Sequence, residues 1–355
     1  MALDYSSQNA YVQTINDMGD VRLGCQFVKQ LASELNFSAV QREHIHIATK
    51  EISSNLLVHH TIDPCLAIYK VQQANKNGIT VVATDHGPGI TSISHAMADH
   101  HSTAGSMGCG LGAVQRLMDE FHIHSSLPEK PRSRCQSYAA GGTTLIATKW
   151  NAQQAERSSA FQWGGISRPK PGFKANGDAY YLQETDTEIH ILLVDGLGHG
   201  EEAEIASQAA IAIYRENLHM PLDALIPLLH SRLRTTRGAA IMLMRLNKSR
   251  RDIQHVGIGN IEAVILPKQT STPLSRAGVL GSGLLVNAEV KTLPWPDNGM
   301  LILHSDGLSR RWGDDLNLQT HRQQPLLLSH ILLRDYGRFT DDAAILILCE
   351  NQQHV

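Results

Sequence analysis

The sequence predicts an α/β protein of two domains, because its length suits two hydrophobic cores and because helical and strand-like patterns occur in both halves. The chain has 355 residues, whereas one core usually serves roughly 100 to 200 residues. Residues 151–160 read NAQQAERSSA, a polar stretch without apolar periodicity, and it is typical of a linker. We therefore expect one domain over residues 1–150 and a second over residues 160–355.

Composition and charge exclude several classes of protein. The hydrophobic fraction of 42% and the charged fraction of 18% are typical of a globular protein. Lys and Arg together number 31 against 34 Asp and Glu, so no excess of cations favours nucleic acid as a partner. No stretch approaches the roughly 20 apolar residues of a membrane helix, and no signal peptide is visible. Five scattered cysteines read as free thiols, and we expect a cytoplasmic protein without a membrane partner.

The first candidate site begins on a predicted helix over residues 43–58. Ile45, Ala48, Ile52 and Leu56 form one apolar stripe at helical spacing. Glu51 and Asn55 are four residues apart and project from one face. A carboxylate beside an amide can activate a hydroxyl group and ligate Mg²⁺ next to a triphosphate. The alternative is an exposed helix face with two ordinary polar residues.

Two glycine-rich turns follow the predicted helix. Asp85 follows the strand-like run ITVVAT and precedes Gly87 and Gly89, so a carboxylate stands beside bare backbone. Such a carboxylate can accept a hydrogen bond from the exocyclic amine of adenine, although a simple turn is the alternative. The segment GSMGCGLG at 105–112 opens a further helical pattern, and a helix N-terminus with bare amides favours phosphate oxygens.

The order of these three segments resembles the GHKL family of ATPases and kinases. ATDHGPGI and HSTAGSMGCGLGAVQRLMDEF are similar to the RsbT-like switch serine kinases within it. The resemblance implies a Bergerat-type α/β two-layer sandwich that uses ATP, with Glu51 as the base toward a protein serine and Asn55 as the Mg²⁺ ligand. It also implies that Asp85 binds adenine and that residues 103–112 form the phosphate loop and lid. The implied nucleotide-binding residues are Asn55, Asp85, Gly87, Gly89, Thr103, Gly108, Gly110, Leu111 and Gly112.

A second candidate site consists of carboxylates at the ends of predicted strands in the second half. Asp195 follows the run IHILLV, Asp306 follows MLILHS, Asp178 precedes a short β-like run, and Asp341-Asp342 precede AAILIL. Converging carboxylates repel one another unless divalent cations join them. Oxygen-only ligands favour two Mg²⁺ or Mn²⁺ ions, which can activate a water toward a phosphate monoester. The alternative is a set of unrelated Asp-Gly turns.

The motifs NGDAYYL, LLVDGLGHGEEA, GIGNIEAVI, LILHSDGLSRRW and TDDAAILIL resemble the PPM-type phosphatases of the SpoIIE and RsbX branch. The resemblance implies an α-β-β-α sandwich in which Asp195 bridges two metal ions with help from the Gly196 carbonyl. Asp306 and Asp341 would bind one metal, with Asp342 as an alternative to Asp341, and Asp178 would act through metal-bound water. Relatives carry a histidine two residues after the bridging aspartate, where this chain has Leu197 and the displaced His199. His199 is therefore either a proton donor or a residue at the start of a helix.

Together the two resemblances predict a bifunctional regulator. It would phosphorylate, with ATP, and dephosphorylate Ser/Thr residues on a partner protein, expected to be a STAS-domain antagonist in stress or sigma-factor signalling. Glu51, Asp195 and Asp306 would be the catalytic residues. One alternative makes the first domain a non-catalytic, ATP-gated module that sequesters a sigma factor or another switch protein, such as a sigma-factor regulator. Another makes the phosphatase half an inactive docking surface.

Overall fold

The chain forms two compact units, each of which is described by itself. One unit lies within residues 10–151 and the other within residues 159–351. The computed structural model describes residues 10–59, 61–73, 76–97, 110–127, 141–151, 159–267, 272–284, 287, 289–315 and 324–351.

The first unit is a five-stranded antiparallel sheet covered by helices. The order of strands across the sheet is β1-β2-β3-β5-β4. Its elements are β1 (Ala10–Thr14), α1 (Met18–Glu34), α2 (Ala39–Val58), β2 (Cys65–Gln73), β3 (Lys76–Thr84), α3 (Ile93–Ala96), α4 (Gly110–Leu117), β4 (Glu120–Ser126) and β5 (Gly142–Trp150).

Local sequence explains where the long helices of this unit begin. The Asp17 side chain accepts hydrogen bonds from Gly19 N and Asp20 N before α1. Ser38 and Gln41 form a reciprocal capping box before α2. The predicted apolar stripe of α2 is confirmed, since its members are at most 5% exposed: Ile45, Ala48, Ile52 and Leu56.

One hydrophobic core joins the helices and the sheet of the first unit. Alternate side chains of β2, β3 and β5 meet the apolar faces of α1, α2 and α4, as expected where successive residues of a strand point to opposite faces. The members that the strands contribute are Leu66, Ile68, Ile79, Val81, Ala83, Leu145 and Ala147. The predicted two-layer α/β sandwich is confirmed.

The second unit contains two packed sheets. One sheet has the order β12-β10-β9-β8-β7, with β13 also paired to β10, and the other has the order β11-β14-β15-β6. The elements are β6 (Phe161–Arg168), β7 (Asp178–Glu184), β8 (Glu188–Gly196), α5 (Glu201–Glu216), α6 (Leu222–Leu233), β9 (Ala239–Asn247), β10 (Asp252–Ile258), β11 (Glu262–Leu266), β12 (Ser275–Arg276), β13 (Lys291–Pro294), β14 (Met300–His304), α7 (Trp312–Asp315), α8 (Pro325–Tyr336) and β15 (Ala343–Glu350).

Three hydrophobic layers hold these sheets and helices together. Ile191, Leu303 and Leu346 belong to the layer between the two sheets. A second layer lies between the first sheet and the helices α5 and α6. A third joins the second sheet to α7 and α8. The predicted α-β-β-α sandwich is confirmed, and no helix in the described ranges is both long and apolar enough to cross a membrane.

Candidate functional site

The candidate nucleotide residues of the first unit begin on α2. Glu51 and Asn55 lie one turn apart and are half-buried, next to the fully buried stripe. Between them, the Ser53 hydroxyl donates to the Thr49 carbonyl at 2.5 Å and is therefore occupied within the helix. Glu51 and Asn55 are therefore the two polar side chains of this part of α2 on which the predicted ATP chemistry depends.

Asp85 lies at the end of β3 with its carboxylate buried. The side chain is 6% exposed, and its Oδ1 accepts a hydrogen bond from Gly87 N at 2.7 Å. The Asp85 N–H donates to the Thr143 carbonyl at 3.0 Å. A Cβ at Gly142, where φ is +112°, would lie 2.0 Å from the Asp85 carbonyl oxygen. Glycine at 142 therefore allows the two strand ends to approach closely enough to fix the Asp85 backbone.

The remaining predicted nucleotide residues fall on two segments. Gly89 has a φ of +72°, and a Cβ there would meet the Ser126 carbonyl at 2.5 Å. Gly110 begins α4, Leu111 packs at the edge of the core, and Gly112 is buried. Because α4 packs against α2, Gly110, Leu111 and Gly112 lie on the helix next to the one that carries Glu51. Thr103 and Gly108 lie outside the described residues, and nucleotide binding stays a prediction.

The candidate phosphatase site is built where strands of both sheets end. Asp178 and Asp195 stand directly opposite each other in the antiparallel pair β7–β8. Side chains of directly opposed residues point to the same face of a sheet. This register therefore brings together two carboxylates that are 17 residues apart in the sequence.

Asn260 links Asp195 of the first sheet to Asp306, which follows β14 of the second sheet. Its Nδ2 donates to Asp195 Oδ2 at 3.2 Å and to Asp306 Oδ2 at 2.7 Å. The two carboxylate oxygens are thus both within hydrogen-bonding distance of one nitrogen atom. Asp195 and Asp306 face the same site.

Asp341 and Asp342 have different surroundings although they are neighbours. The buried Asp342 carboxylate accepts from Lys170 N at 2.7 Å and from Gly177 N at 2.9 Å, so each of its oxygens already holds a backbone segment in place. Asp341 is half-exposed, and its Oδ1 accepts from the N–H of Asp342 at 3.0 Å. These contacts favour Asp341 over Asp342 as the ligand that a metal could recruit.

Three glycines allow the loops of this site to approach one another. A Cβ at Gly307 would lie 1.9 Å from the Asp342 carbonyl oxygen, and one at Gly196 would lie 2.1 Å from the Ala203 carbonyl oxygen. A Cβ at Gly177 would lie 2.8 Å from Asp342 Oδ2 and 3.4 Å from the Gly196 carbonyl oxygen. The Gly196 carbonyl oxygen and the Asp342 carboxylate therefore both lie beside Gly177.

The electrostatics of the site reflect crowded carboxylates. Burial and then the charge of Asp195 raise the pKa of Asp178 well above its usual range. Burial, and to a smaller extent the charge of Asp306, raises the pKa of Asp195 to about 7. Burial, and to a smaller extent the charge of Asp306, also raises the pKa of Asp341. Each ionised carboxylate disfavours the ionisation of its neighbours, because negative charges this close repel one another in a partly desolvated site.

The residues fit a pair of hard divalent cations. The donors are carboxylate and carbonyl oxygens, which Mg²⁺ and Mn²⁺ prefer, and Asp178 Oδ2 is buried without a hydrogen-bond partner. Among the described residues, no three acidic, His or Cys side chains are already arranged around a common centre. The Asn260 amide lies between Asp195 and Asp306 instead. Metal binding at this site stays a prediction.

His199 is an exposed residue just before α5. Its ring lies 4.6 Å from the ring of Phe173, measured between centroids, and Gly200 follows it as the N-cap of the helix. Leu197 is 49% exposed. This position is that of a residue at the start of a helix, on the rim of the acidic site.

Two residues of the site have no predicted role from the sequence. Asn260 lies in the motif GIGNIEAVI, but its contact with two aspartates depends on tertiary structure. Ser305 is fully buried, and its hydroxyl hydrogen bonds with Asp178. Its N–H donates to the Ala344 carbonyl, so it also joins β14 to β15. The position of Ser305 directly before Asp306 was the available signal.

Comparison with known proteins assigns a family to each half. Residues 16–132 match the model of the histidine kinase-like ATPase domain, and residues 185–350 match that of stage II sporulation protein E (SpoIIE). Serine/threonine-protein kinase RsbT of Bacillus subtilis is 34% identical over 131 residues, which are 37% of this chain and 89% of RsbT. Phosphoserine phosphatase RsbX of the same organism is 24% identical over 158 residues, which are 44% of this chain and 79% of RsbX.

Two solved structures are each similar over about half of the chain. One, described as "The bacterial stressosome: a modular system that has been adapted to control secondary messenger signaling", is 29% identical with a TM-score of 0.49 and covers 53% of this chain and 98% of that chain. RsbX in complex with magnesium is 19% identical with a TM-score of 0.47 and covers 56% of this chain and 99% of that chain. The chain belongs to the RsbT-like family of histidine kinase-like ATPase domains through its N-terminal half, and its C-terminal half is an RsbX-like phosphatase domain of the SpoIIE family.

Proposed function

We propose that the second unit is a metal-dependent protein-serine/threonine phosphatase. The observation that carries this proposal is the single Asn260 amide that donates to both Asp195 and Asp306, since it brings acids from two sheets into one site. Asp195, the Gly196 carbonyl, Asp306 and Asp341 would hold two Mg²⁺ or Mn²⁺ ions, and Asp178 would orient water. Two such ions supply charge neutralisation and a nucleophilic water for in-line attack on a phosphate monoester.

Neighbouring residues of the protein would hold the groups of this site in position for the reaction. Ser305 holds Asp178 at the buried end of the site. Asp342 fixes Gly177 and Lys170, so the segment before β7 keeps its place. During hydrolysis the oxygen of a water would attack phosphorus, the bond from phosphorus to the serine oxygen would break, and that oxygen would take up a proton.

A direct assay tests the phosphatase proposal. The full chain with Mn²⁺ should hydrolyse p-nitrophenyl phosphate and phosphoserine peptides, and Asp195→Asn should reduce the rate by at least about a hundredfold. Asp223→Asn is a matched control, because Asp223 is an exposed acid at the start of α6, outside the site. Equal activity of wild type and Asp195→Asn would refute the assignment.

We further propose that the first unit is a protein-serine kinase acting on the same partner. Glu51 would accept the proton of a partner serine while the serine oxygen attacks the γ-phosphorus of ATP and ADP departs. Asn55 would hold Mg²⁺, and the buried Asp85 would accept a hydrogen bond from adenine. The similarity to RsbT over 89% of its length supports this proposal, and a STAS-domain antagonist is the partner class we propose.

The kinase assay must be free of the opposing phosphatase. Transfer of labelled γ-phosphate from ATP to a STAS-domain protein should be measured with Asp195→Asn as the parent chain. Adding Glu51→Ala should abolish transfer, whereas Glu43→Ala, an exposed acid two turns earlier on α2, should not. Nucleotide binding without transfer to any STAS-domain protein would instead favour an ATP-gated binding module.

A further inference from the structure

Arg237 lies at the rim of the acidic site. It precedes β9, whose first residue, Ala239, pairs with Gly196. The Leu197 N–H donates to the Gly238 carbonyl at 2.9 Å, which joins the segment that carries Arg237 to the segment that follows Asp195. Arg237 is therefore held beside a predicted metal ligand by the backbone pairing of the sheet.

Its guanidinium lies against a bare stretch of backbone. A Cβ at Gly198 would be 3.0 Å from Arg237 Nη1, and the φ of Gly198 is +92°. A side chain at 198 would both strain the backbone and crowd the guanidinium. Glycine at this position keeps the approach between Arg237 and the end of β8 open.

The ionic contact of Arg237 is exposed to solvent. Its Nε pairs with Glu202 in the first turn of α5, and the two side chains are 49% and 65% exposed. Exposed ion pairs contribute little to stability. By contrast, Arg251 bonds both oxygens of Glu350 and the Pro296 carbonyl, and is fixed as part of the fold.

A phosphate dianion approaching this site meets carboxylates on several sides. Divalent cations would offset their charge near the metal-binding oxygens, but the outer phosphoryl oxygens need donors of their own. The planar guanidinium offers paired donors that match phosphate oxygens. We propose that Arg237 leaves Glu202 to contact the phosphoryl group of the substrate, so that it is a substrate-binding residue of this site. The proposal rests on the phosphatase function proposed above.

The test compares small phosphate probes across matched variants of the full chain. With Mn²⁺ and p-nitrophenyl phosphate, Arg237→Ala should raise KM about tenfold and change kcat much less, because a binding contact is lost. The inhibition constant of inorganic phosphate should rise by a similar factor, and Arg237→Lys should recover part of the loss. Glu202→Gln should lower KM, since it removes the competing carboxylate. Arg250→Ala is the control, because Arg250 is a 60% exposed arginine at the opposite end of β9 and should leave both constants unchanged.

A second readout separates this inference from the phosphatase proposal. Calorimetry should show that inorganic phosphate binds the Mg²⁺-loaded chain and binds Arg237→Ala about tenfold more weakly. If the wild type hydrolyses p-nitrophenyl phosphate while Arg237→Ala keeps its KM and its phosphate affinity, the inference is wrong and the phosphatase proposal stands. If the wild type hydrolyses nothing, the phosphatase proposal is wrong, and weaker phosphate binding by Arg237→Ala alone would still support the contact. Absence of phosphate binding to the wild type would overturn the inference.

Discussion

Replacement of Asp195 by asparagine should stabilise the metal-free protein. Asp195 faces Asp178 across the strand pair and shares the Asn260 amide with Asp306. Asparagine has nearly the same shape as aspartate but carries no charge. The substitution therefore removes repulsion and retains packing, so we expect the metal-free protein to gain stability.

The magnitude follows from the raised pKa of Asp195. Burial and the charge of Asp306 raise this pKa to about 7, compared with about 3.9 in an unfolded chain. At pH 8 the carboxyl is ionised in both states, so the folded state bears the whole penalty, about 4 kcal/mol at most. Below pH 7 the folded state binds a proton, and the penalty falls until it disappears near pH 4. The excess stability of Asp195→Asn should thus be largest at pH 8 and should shrink as the pH falls.

Urea unfolding of the full chain, followed by tryptophan fluorescence, measures this difference. Three of the four tryptophans, Trp163, Trp295 and Trp312, belong to the second unit. With a chelator at pH 8, Asp195→Asn should unfold at higher urea than wild type, by about 2 to 4 kcal/mol. With Mn²⁺ at a hundredfold excess over its dissociation constant, the wild type should gain about 2.7 kcal/mol, and the variant much less.

Two results would refute this reasoning. An Asp195→Asn variant less stable than wild type in the chelator at pH 8 would mean that the carboxylates do not repel in the folded protein. Equal gains from Mn²⁺ in both proteins would mean that Asp195 is not a metal ligand. Asp223→Asn serves as the control, because the same change at an exposed position should alter neither measurement.

Three further predictions concern backbone approach and buried histidine. Gly307→Ala should destabilise the second unit by about 3 kcal/mol or more and abolish the gain from Mn²⁺, because its Cβ would meet the Asp342 carbonyl at 1.9 Å; an unchanged urea midpoint would contradict this. Gly142→Ala should weaken binding of a fluorescent ATP analogue at least about tenfold, because its Cβ would displace the Asp85 backbone, and unchanged affinity would argue against a role of that strand end in the nucleotide site. Burial lowers the pKa of His255 to about 4. As the pH falls below about 6.5, this histidine is therefore protonated in the unfolded chain before it is protonated in the folded protein. The free energy of unfolding should decline by about 3 kcal/mol toward pH 4. His255→Gln should lose that part of the decline in urea unfolding, whereas parallel profiles would show that this histidine is not responsible.

The sequence predicted those features that depend on local pattern. The apolar stripe of α2 could be recognised because helical periodicity alone places Ile45, Ala48 and Ile52 on one face, and all three are buried. Asp195 and Asp306 could be selected because each follows an apolar strand-like run, and a strand that ends in a carboxylate delivers it to the edge of a sheet. Neither inference needed knowledge of which strands pair.

Features that depend on contacts between distant segments were not predictable. Asn260 and Asp306 are 46 residues apart, and nothing in the sequence around Asn260 shows which acids its amide will meet. Asp341 and Asp342 are adjacent, and only the backbone donors of Lys170 and Gly177 distinguish them. Pairing of β7 with β8 in one register decides that Asp178 faces Asp195; a shift of one residue would turn one of them to the other face.

The separate cores of the two units bear on how one chain could carry the two opposed activities proposed above. Each hydrophobic cluster draws its members from one unit alone, so Glu51 and Asp195 are held by different cores and can be substituted independently. A kinase and a phosphatase acting on one serine at constant rates would hydrolyse ATP continuously, and the phosphorylated fraction of the partner would be fixed by the ratio of the two rates. A ratio responds to a change in either rate, so a signal that acted on one unit would suffice to move the partner between its two states.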